Sequence, residues 1–303
     1  MMKDKLPNGY DSPTALPREA ERDAWQIDNR AWWEANPMRY DWTNDLGAEE
    51  FSPKFFNEIT ARFFSDAARY MPPRVHPFDT IVPFALLPSS EVLEIGVGSG
   101  SHAQLLAPHC RRYTGIDLTA YAVRSTTARL RLMALPGAVL QMDAERLAFA
   151  DETFDFIWTW GVIHHSADTA GVLREMHRVM RPNARAVVMV YHRSPLYSFG
   201  YAALFRGVLK AGFLRHSLHE LVQLNTDGAI ARFYRPREWH ELSAACGFEI
   251  EQQWIMGQKS EVILLPAGRL KDAVTKAVPD AVTRFITNTC RQGSFLITRL
   301  RKA

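Results

Sequence analysis

The sequence predicts an α/β fold: a doubly wound, mostly parallel sheet, preceded by a helical arm and interrupted by a helical cap. Three observations predict it. Val92-Leu-Glu-Ile95 is a short apolar run that turns at once into Gly96, Gly98 and Gly100, ahead of a helical pattern from His102 to Leu106. Strand-like runs recur near residues 91–96, 113–118, 138–142, 154–160 and 185–192, alternating with helical stretches. Runs such as Ala186-Val-Val-Met-Val190 are continuously apolar, as parallel strands covered on both faces require.

Taken in order, residues 1–20 mix Lys3, Asp4, Lys5, Asp11, Arg18 and Glu19 with prolines. They predict a mobile tail and contain no signal-peptide hydrophobic region. Residues 21–73 form the expected helical arm. Trp25, Trp32 and Trp33 fall at i, i+7 and i+8, one side of a helix, and Pro37-Met-Arg-Tyr-Asp-Trp42 follows. Ser52-Pro53 reads as an N-cap with proline at the first helical position. The helix it opens carries Phe56, Ile59, Phe63, Ala67 and Tyr70 on one face, until Met71-Pro-Pro73 stops it. The arm either covers the sheet or closes in part over a ligand site.

Residues 74–193 are the expected core and 194–235 the cap. Within the cap, residues 196–214 are apolar and aromatic with Arg206, Lys210 and Arg215 interspersed, which suits a helix packed on the core or one lying on a membrane surface. The packed cap is the expectation. Asp227-Gly228 marks a turn, residues 236–245 a helix closed by Gly247, and residues 248–255 and 294–300 a terminal hairpin of the sheet. A helical segment at 266–290 lies between those two strands. After Arg181-Pro182, Asn183-Ala184 leads into the fifth strand, and asparagine tolerates a left-handed turn there.

A chain of 303 residues that is 47% hydrophobic can bury a full core and suits one elaborated domain. Its formal charge of +3 is spread along the chain, so it neither demands nor excludes an anionic partner. Cys110, Cys246 and Cys290 are odd in number and far apart, which predicts reduced thiols and a cytoplasmic protein without a disulfide framework. No uncharged run reaches the eighteen or so residues of a membrane span. No metal ion is expected.

The glycine turn decides the ligand class. Glycine at every second position permits positive φ and brings bare N–H groups to a ligand at a helix N-terminus. The spacing is G-x-G-x-G, whereas a nicotinamide fingerprint reads G-x-G-x-x-G. With Glu94 ahead of it, Gly115-Ile-Asp-Leu118, Gln141-Met-Asp-Ala144, Phe154-Asp-Phe-Ile-Trp-Thr-Trp-Gly-Val-Ile-His-His165 and Leu173-Arg-Glu-Met-His-Arg-Val-Met-Arg-Pro182 after it, the chain resembles the class I S-adenosylmethionine-dependent methyltransferases, in their type 11 branch. The resemblance implies a Rossmann-like, seven-stranded sheet and S-adenosyl-L-methionine as cofactor. It places Gly96, Gly98 and Gly100 at the methionine part, with Glu94 orienting or balancing positive charge. Asp117 is placed on the ribose diol, Leu118 on adenine, Asp143 and Ala144 at the adenine edge, and Trp160 under the cofactor. Tyr40, from the arm, is added to this set. His164 and His165 are implied as site-lining.

Methyl transfer is a displacement at an already activated carbon, so alignment and exclusion of water supply much of the catalysis. Acceptors that must lose a proton need a base, for which His165, Tyr191, His192 and Tyr234 are candidates by position. The expected acceptor is a small molecule, with oxygen, nitrogen, carbon and sulfur all open, and eight tryptophans suit a partly apolar or cationic one. An RNA or protein acceptor is the alternative, but no basic stripe, RNA-binding module or N/D-P-P-Y/F motif is present to favour a nucleic acid. A cofactor-binding regulatory protein without turnover is the alternative of another class.

Overall fold

In the computed structural model, the described residues are Tyr10, 12–41, 45–266 and 268–303; Trp42 lies outside them. Five strands run parallel: β1 Glu91–Ile95, β2 Arg112–Asp117, β3 Ala138–Gln141, β4 Phe154–Trp160 and β5 Met180–His192. β6 Phe233–Tyr234, β7 Phe248–Met256 and β8 Phe295–Lys302 follow. The order is β3-β2-β1-β4-β5-β8-β7, with β8 antiparallel to both neighbours. The sheet has eight strands rather than the seven expected, because two residues of the cap, β6, pair with Tyr191 and His192 beyond the end of β4. The order reverses between β1 and β4, which opens a crevice at the strands' carboxyl ends.

Both faces are covered, as continuous apolar strands demand. On one face Leu93, Ile157, Val188 and Leu296 pack with Val172, Leu173 and Met176 of helix Thr169–Val179 and with Trp239 of helix Pro236–Ala245. On the other, Val92, Phe156, Val187 and Ile297 meet Phe63 and Ala67 of the arm's second helix and Ala103 and Leu106 of helix Ser101–Leu106. Full burial of each such side chain contributes about 1.5–3 kcal/mol.

The arm consists of α1, Glu19–Ala35, and α2, Pro53–Tyr70. The expected cap of α2 is present: Phe55 N–H donates to Ser52 Oγ at 3.2 Å. Its five predicted face residues are all buried. Asn183 takes φ +62°, the left-handed turn anticipated there.

The described residues within 1–20 do not form a mobile tail. Among their described members, Tyr10 and Ala15 are buried. The Tyr10 hydroxyl donates to the Ala231 carbonyl, Phe233 N–H donates to the Pro13 carbonyl at 3.0 Å, and Tyr10 meets Trp25 edge-on at 5.4 Å. A single aromatic among prolines and charges carries no periodicity, yet its buried ring and satisfied hydroxyl anchor the segment.

In the cap, the π-helical segment Leu196–Leu209 turns Ala202 inward onto Val222, Ala231 and Phe233, with Tyr197 packed beside them, and leaves Phe199 and Leu209 about two-thirds exposed. No helix among the described residues is long and apolar enough to cross a membrane. The segment between β7 and β8, which sequence patterns leave without a role, closes the end of α2. Arg284 donates to the Arg69 carbonyl and Asn288 Nδ2 to the Tyr70 carbonyl, each at 2.9 Å, pairing carbonyls that a helix C-terminus leaves open.

Candidate functional site

A cavity of about 550 Å³ occupies the crevice, within the size range of small-molecule sites. Its floor is the glycine turn. Gly96 has φ +81°, and a Cβ there would lie 2.2 Å from Val162 Cγ2, so glycine is required on both conformational and steric grounds. Gly100 also has positive φ but does not line the cavity. Its role is close packing, since a Cβ would come within about 3 Å of Thr126 and Arg129 on the following helix, Ala120–Leu132.

Asp117 ends β2 beside this turn. Its Oδ1 accepts from Thr119 N–H at 2.9 Å and from Thr119 Oγ1 at 2.8 Å, and its Oδ2 accepts from Gly98 N–H at 3.1 Å. Burial raises its pKa, and these donors oppose the rise. Asp143 Oδ1 accepts from Gln26 of α1 and from Glu145 N–H, each at 2.9 Å. Burial raises Asp143 too, with the donors again lowering it. Leu118, Ala144 and Trp160 complete the stretch of wall from Asp143 to the glycine turn.

The arm roofs this stretch. Arg22 reaches Glu145 at 3.0 Å and Asp168 at 3.2 Å, Glu34 accepts from Tyr121 N–H at 3.1 Å, and Ser99 Oγ donates to the Met38 carbonyl. Trp32, Trp33, Met38 and Tyr40 thereby face the cavity. Tyr40 stands on the far side of the glycine turn, 5.3 Å from Phe63 between ring centres.

Strand alternation divides the four candidate bases. Successive side chains on a strand point to opposite faces. On β5, Met189 and Tyr191 line the cavity, while His192 is turned away and its Nδ1 lies 2.7 Å from the Gly293 carbonyl. On β6, Phe233 lines the cavity and Tyr234 packs into the opposite core, 5.1 Å from Trp239. His192 and Tyr234 are therefore corrected out of the site. Tyr191 donates to Asp227 Oδ1 at 2.7 Å. His165 lines the cavity with Nδ1 2.7 Å from the Ile230 carbonyl, which places the ring proton on Nδ1 and the lone pair on Nε2. Its approach needs Gly228, where a Cβ would lie 2.3 Å from that nitrogen. His164 is fully buried and packs against Tyr191, tilted at 47° with ring centres 4.1 Å apart, rather than lining the site, and burial lowers its pKa.

Glu94 is also corrected. It is fully buried beneath the turn, accepts from Tyr113 Oη at 2.6 Å, and lies 3.8 Å from His102, and it is His102 that lines the cavity. Burial raises Glu94 to about 8 and lowers His102 to about 3, each toward its neutral form. A carboxyl raised in the folded state stabilises the fold fully below its unfolded value, and that contribution is lost as pH climbs through the folded value. Wild type should lose stability between pH about 4.5 and about 8, on the order of a few kcal/mol, relative to Glu94→Gln. Thermal midpoints of both proteins across that range test this; parallel curves would show that Glu94 does not titrate there.

Asp66, Tyr70, Tyr197, Asp227 and Glu261 also line the cavity, and sequence patterns single out none of them as site residues. Asp66 and Tyr70 lie at i and i+4 on α2, a detectable pairing; the other three come from segments that only the fold brings together.

Residues 93–188 match the family described as Methyltransferase domain. The chain is 30% identical over 173 residues to the 2-phytyl-1,4-naphtoquinone methyltransferase of Synechococcus elongatus, covering 54% of this chain and 73% of that one. It is 30% identical over 105 residues to an uncharacterized methyltransferase of Bacillus subtilis, and 26% identical over 147 residues to a ubiquinone biosynthesis O-methyltransferase of Alkalilimnicola ehrlichii. Those matches cover 34% and 45% of this chain, and only 41% and 60% of the relatives' own lengths. Among solved structures, an S-adenosylmethionine-dependent methyltransferase of Methanosarcina mazei is similar in fold, at 20% identity, TM-score 0.50, and coverage of 73% of this chain and 98% of that one. The [4+2]-cyclase SpnF is similar over 95% of this chain and 96% of its own, at 16% identity and TM-score 0.50.

Proposed function

Because this chain belongs to the class I S-adenosylmethionine-dependent methyltransferases, we propose that it transfers a methyl group to a small-molecule acceptor held in the same cavity. One observation carries this reading: the cavity lined by the Gly96–Gly98 turn and Trp160 is also lined by Tyr40, Tyr191 and Phe295, which we take as its acceptor compartment. One cavity thus joins both sets of residues.

The residues present fit the cofactor. Gly96 and Gly98 leave a cradle without side chains, Asp117 has lone pairs beyond the three donors it accepts, and Asp143 and Ala144 close the adenine end. When bound, the cofactor supplies a methyl carbon already activated by a sulfonium. The chain's part is alignment, exclusion of water and, for a protic acceptor, removal of a proton. His165 Nε2 and the Tyr191–Asp227 pair are the groups positioned for that removal. In the pair, Asp227 holds the tyrosine proton, so a proton from the acceptor would pass toward the carboxylate. The curated relatives named for quinone biosynthesis support an organic acceptor of modest size.

Incubation with methyl-labelled cofactor and a fractionated metabolite extract, followed by mass spectrometry, tests the reading. Label should enter a small molecule, and His165→Ala or Tyr191→Phe should slow the transfer at least tenfold if the acceptor is protic. Label found only in RNA or protein, or in nothing at all, would overturn it.

A further inference from the structure

The compartment beyond Trp160 has a marked chemical bias. Among the described residues lining the whole cavity there is no lysine or arginine, yet there are five carboxylates: Asp66, Asp117, Asp143, Asp227 and Glu261. Asp117 and Asp143 lie at the cofactor end. The other three come from α2, the cap and helix Lys259–Val262, and they converge with four tyrosines, Tyr40, Tyr70, Tyr191 and Tyr197. Their proximity shows in the hydroxyls. Burial raises all four phenols, and the carboxylates add to the rise, Asp227 and Asp66 at Tyr40, Glu261 and Asp66 at Tyr70 behind the neighbouring Tyr40, Asp227 and Glu261 at Tyr191, and the same two at Tyr197, where a Thr226 hydrogen bond opposes it.

Local contacts account for only part of this set. Glu261 accepts from Ser294 N–H at 3.0 Å, Ser294 Oγ at 2.6 Å and Gln258 N–H at 2.8 Å, and Asp227 accepts from Tyr191. Asp66 has Arg69 at 3.6 Å on the outer side of α2, and the Lys271 ammonium, which lies outside the cavity lining, contributes a positive charge to the surroundings of Glu261. Tyr70 is 4% exposed and lines the cavity, meeting Phe295 edge-on, but its hydroxyl has no hydrogen-bond partner among the described residues; Asn288 reaches only its carbonyl. The Tyr70 ring adds an aromatic face beside the carboxylates. Ring faces and carboxylates together stabilise an alkylammonium, whereas an anionic group would meet like charge, with Arg69 and Lys271 outside the cavity lining as the cations beside it.

We propose that this compartment recognises a positively charged alkylammonium group on the acceptor, whichever acceptor atom receives the methyl group. The inference rests on the methyltransferase reading above and narrows it to cationic small molecules. A matched pair of probes tests it: choline, and the neutral analogue in which carbon replaces the quaternary nitrogen. Each is titrated calorimetrically into the protein saturated with S-adenosylhomocysteine. Choline should bind at least roughly tenfold more tightly than its neutral partner, since only the charge differs. Asp227→Asn and Asp66→Asn should each reduce that preference severalfold, with S-adenosylhomocysteine affinity unchanged; Asp66 lies on a partly exposed helix face, so its variant keeps the test open if Asp227→Asn misfolds. Equal binding of the two probes overturns the inference, as does binding of neither. Failure of S-adenosylhomocysteine itself to bind would instead overturn the methyltransferase reading.

Discussion

Arg232→Ala should destabilise the fold by about 3–5 kcal/mol, because it leaves three buried carbonyls unpaired at about 1–3 kcal/mol each. Arg232 is fully buried, and its guanidinium is spent on backbone carbonyls. Nε donates to Ala15 and Nη2 to Ala167, each at 2.7 Å, while Nη1 donates to Ser166 and approaches Thr169 Oγ1 at 3.4 Å. Each bond from a charged donor contributes about 1.5–3 kcal/mol, and truncation leaves three carbonyls without that donor. Relief of the buried cation's desolvation offsets part of the sum, which is why the expected cost is below it. Lysine lacks the planar fork, so Arg232→Lys should fall between wild type and alanine. Urea denaturation of the three proteins gives the values, and a loss under about 1 kcal/mol for alanine would show that the network is replaceable. Because Ser166 and Ala167 directly follow His165, the same substitution should also lower turnover more than the stability loss alone explains.

Asp117→Ala should weaken binding of S-adenosylhomocysteine by roughly a hundredfold, or about 2.7 kcal/mol. Two effects add. The carboxylate that would meet the ribose hydroxyls is gone, and the Gly98 and Thr119 N–H groups it holds lose their acceptor, so the glycine turn loosens. Stability should change less than affinity, since removing a buried carboxyl whose pKa is raised also removes its desolvation cost. Calorimetry reads the affinity; a change of less than threefold would mean that Asp117 serves the turn and not the cofactor.

What the sequence makes legible follows from how local each feature is. Gly96 and Asp117 are legible because a tight turn and a strand-end carboxylate are dictated by residues within one strand-turn-strand unit. The helix at Pro236–Ala245 is legible for the same reason, with proline at its start and Gly247, at φ +87°, beyond its end. Tyr191 and His192 are adjacent, and sequence alone does not say which faces the cavity, because the parity of β5 is set by its pairing with β4 and β8. Glu94 sits in the right motif but on the buried side of β1. Tyr70, Asp227 and Glu261 are separated by 157 and 34 residues, with no shared pattern, and only tertiary packing brings them to one cavity.

The strand order has a consequence for how the protein is made. β8 is the last strand in sequence yet lies between β5 and β7, so the β5 edge stays unpaired until residues 295–302 have been synthesised. The opposite end waits as well. Tyr10 is 221 residues from its acceptor on Ala231, so its segment has nothing to dock on until Ala231 has been made. A nascent chain stalled before β8 would carry an apolar strand with open backbone donors and acceptors, the kind of edge that recruits other chains. Co-translational chaperone contact should therefore rise after β5 emerges and fall once β8 has emerged and paired.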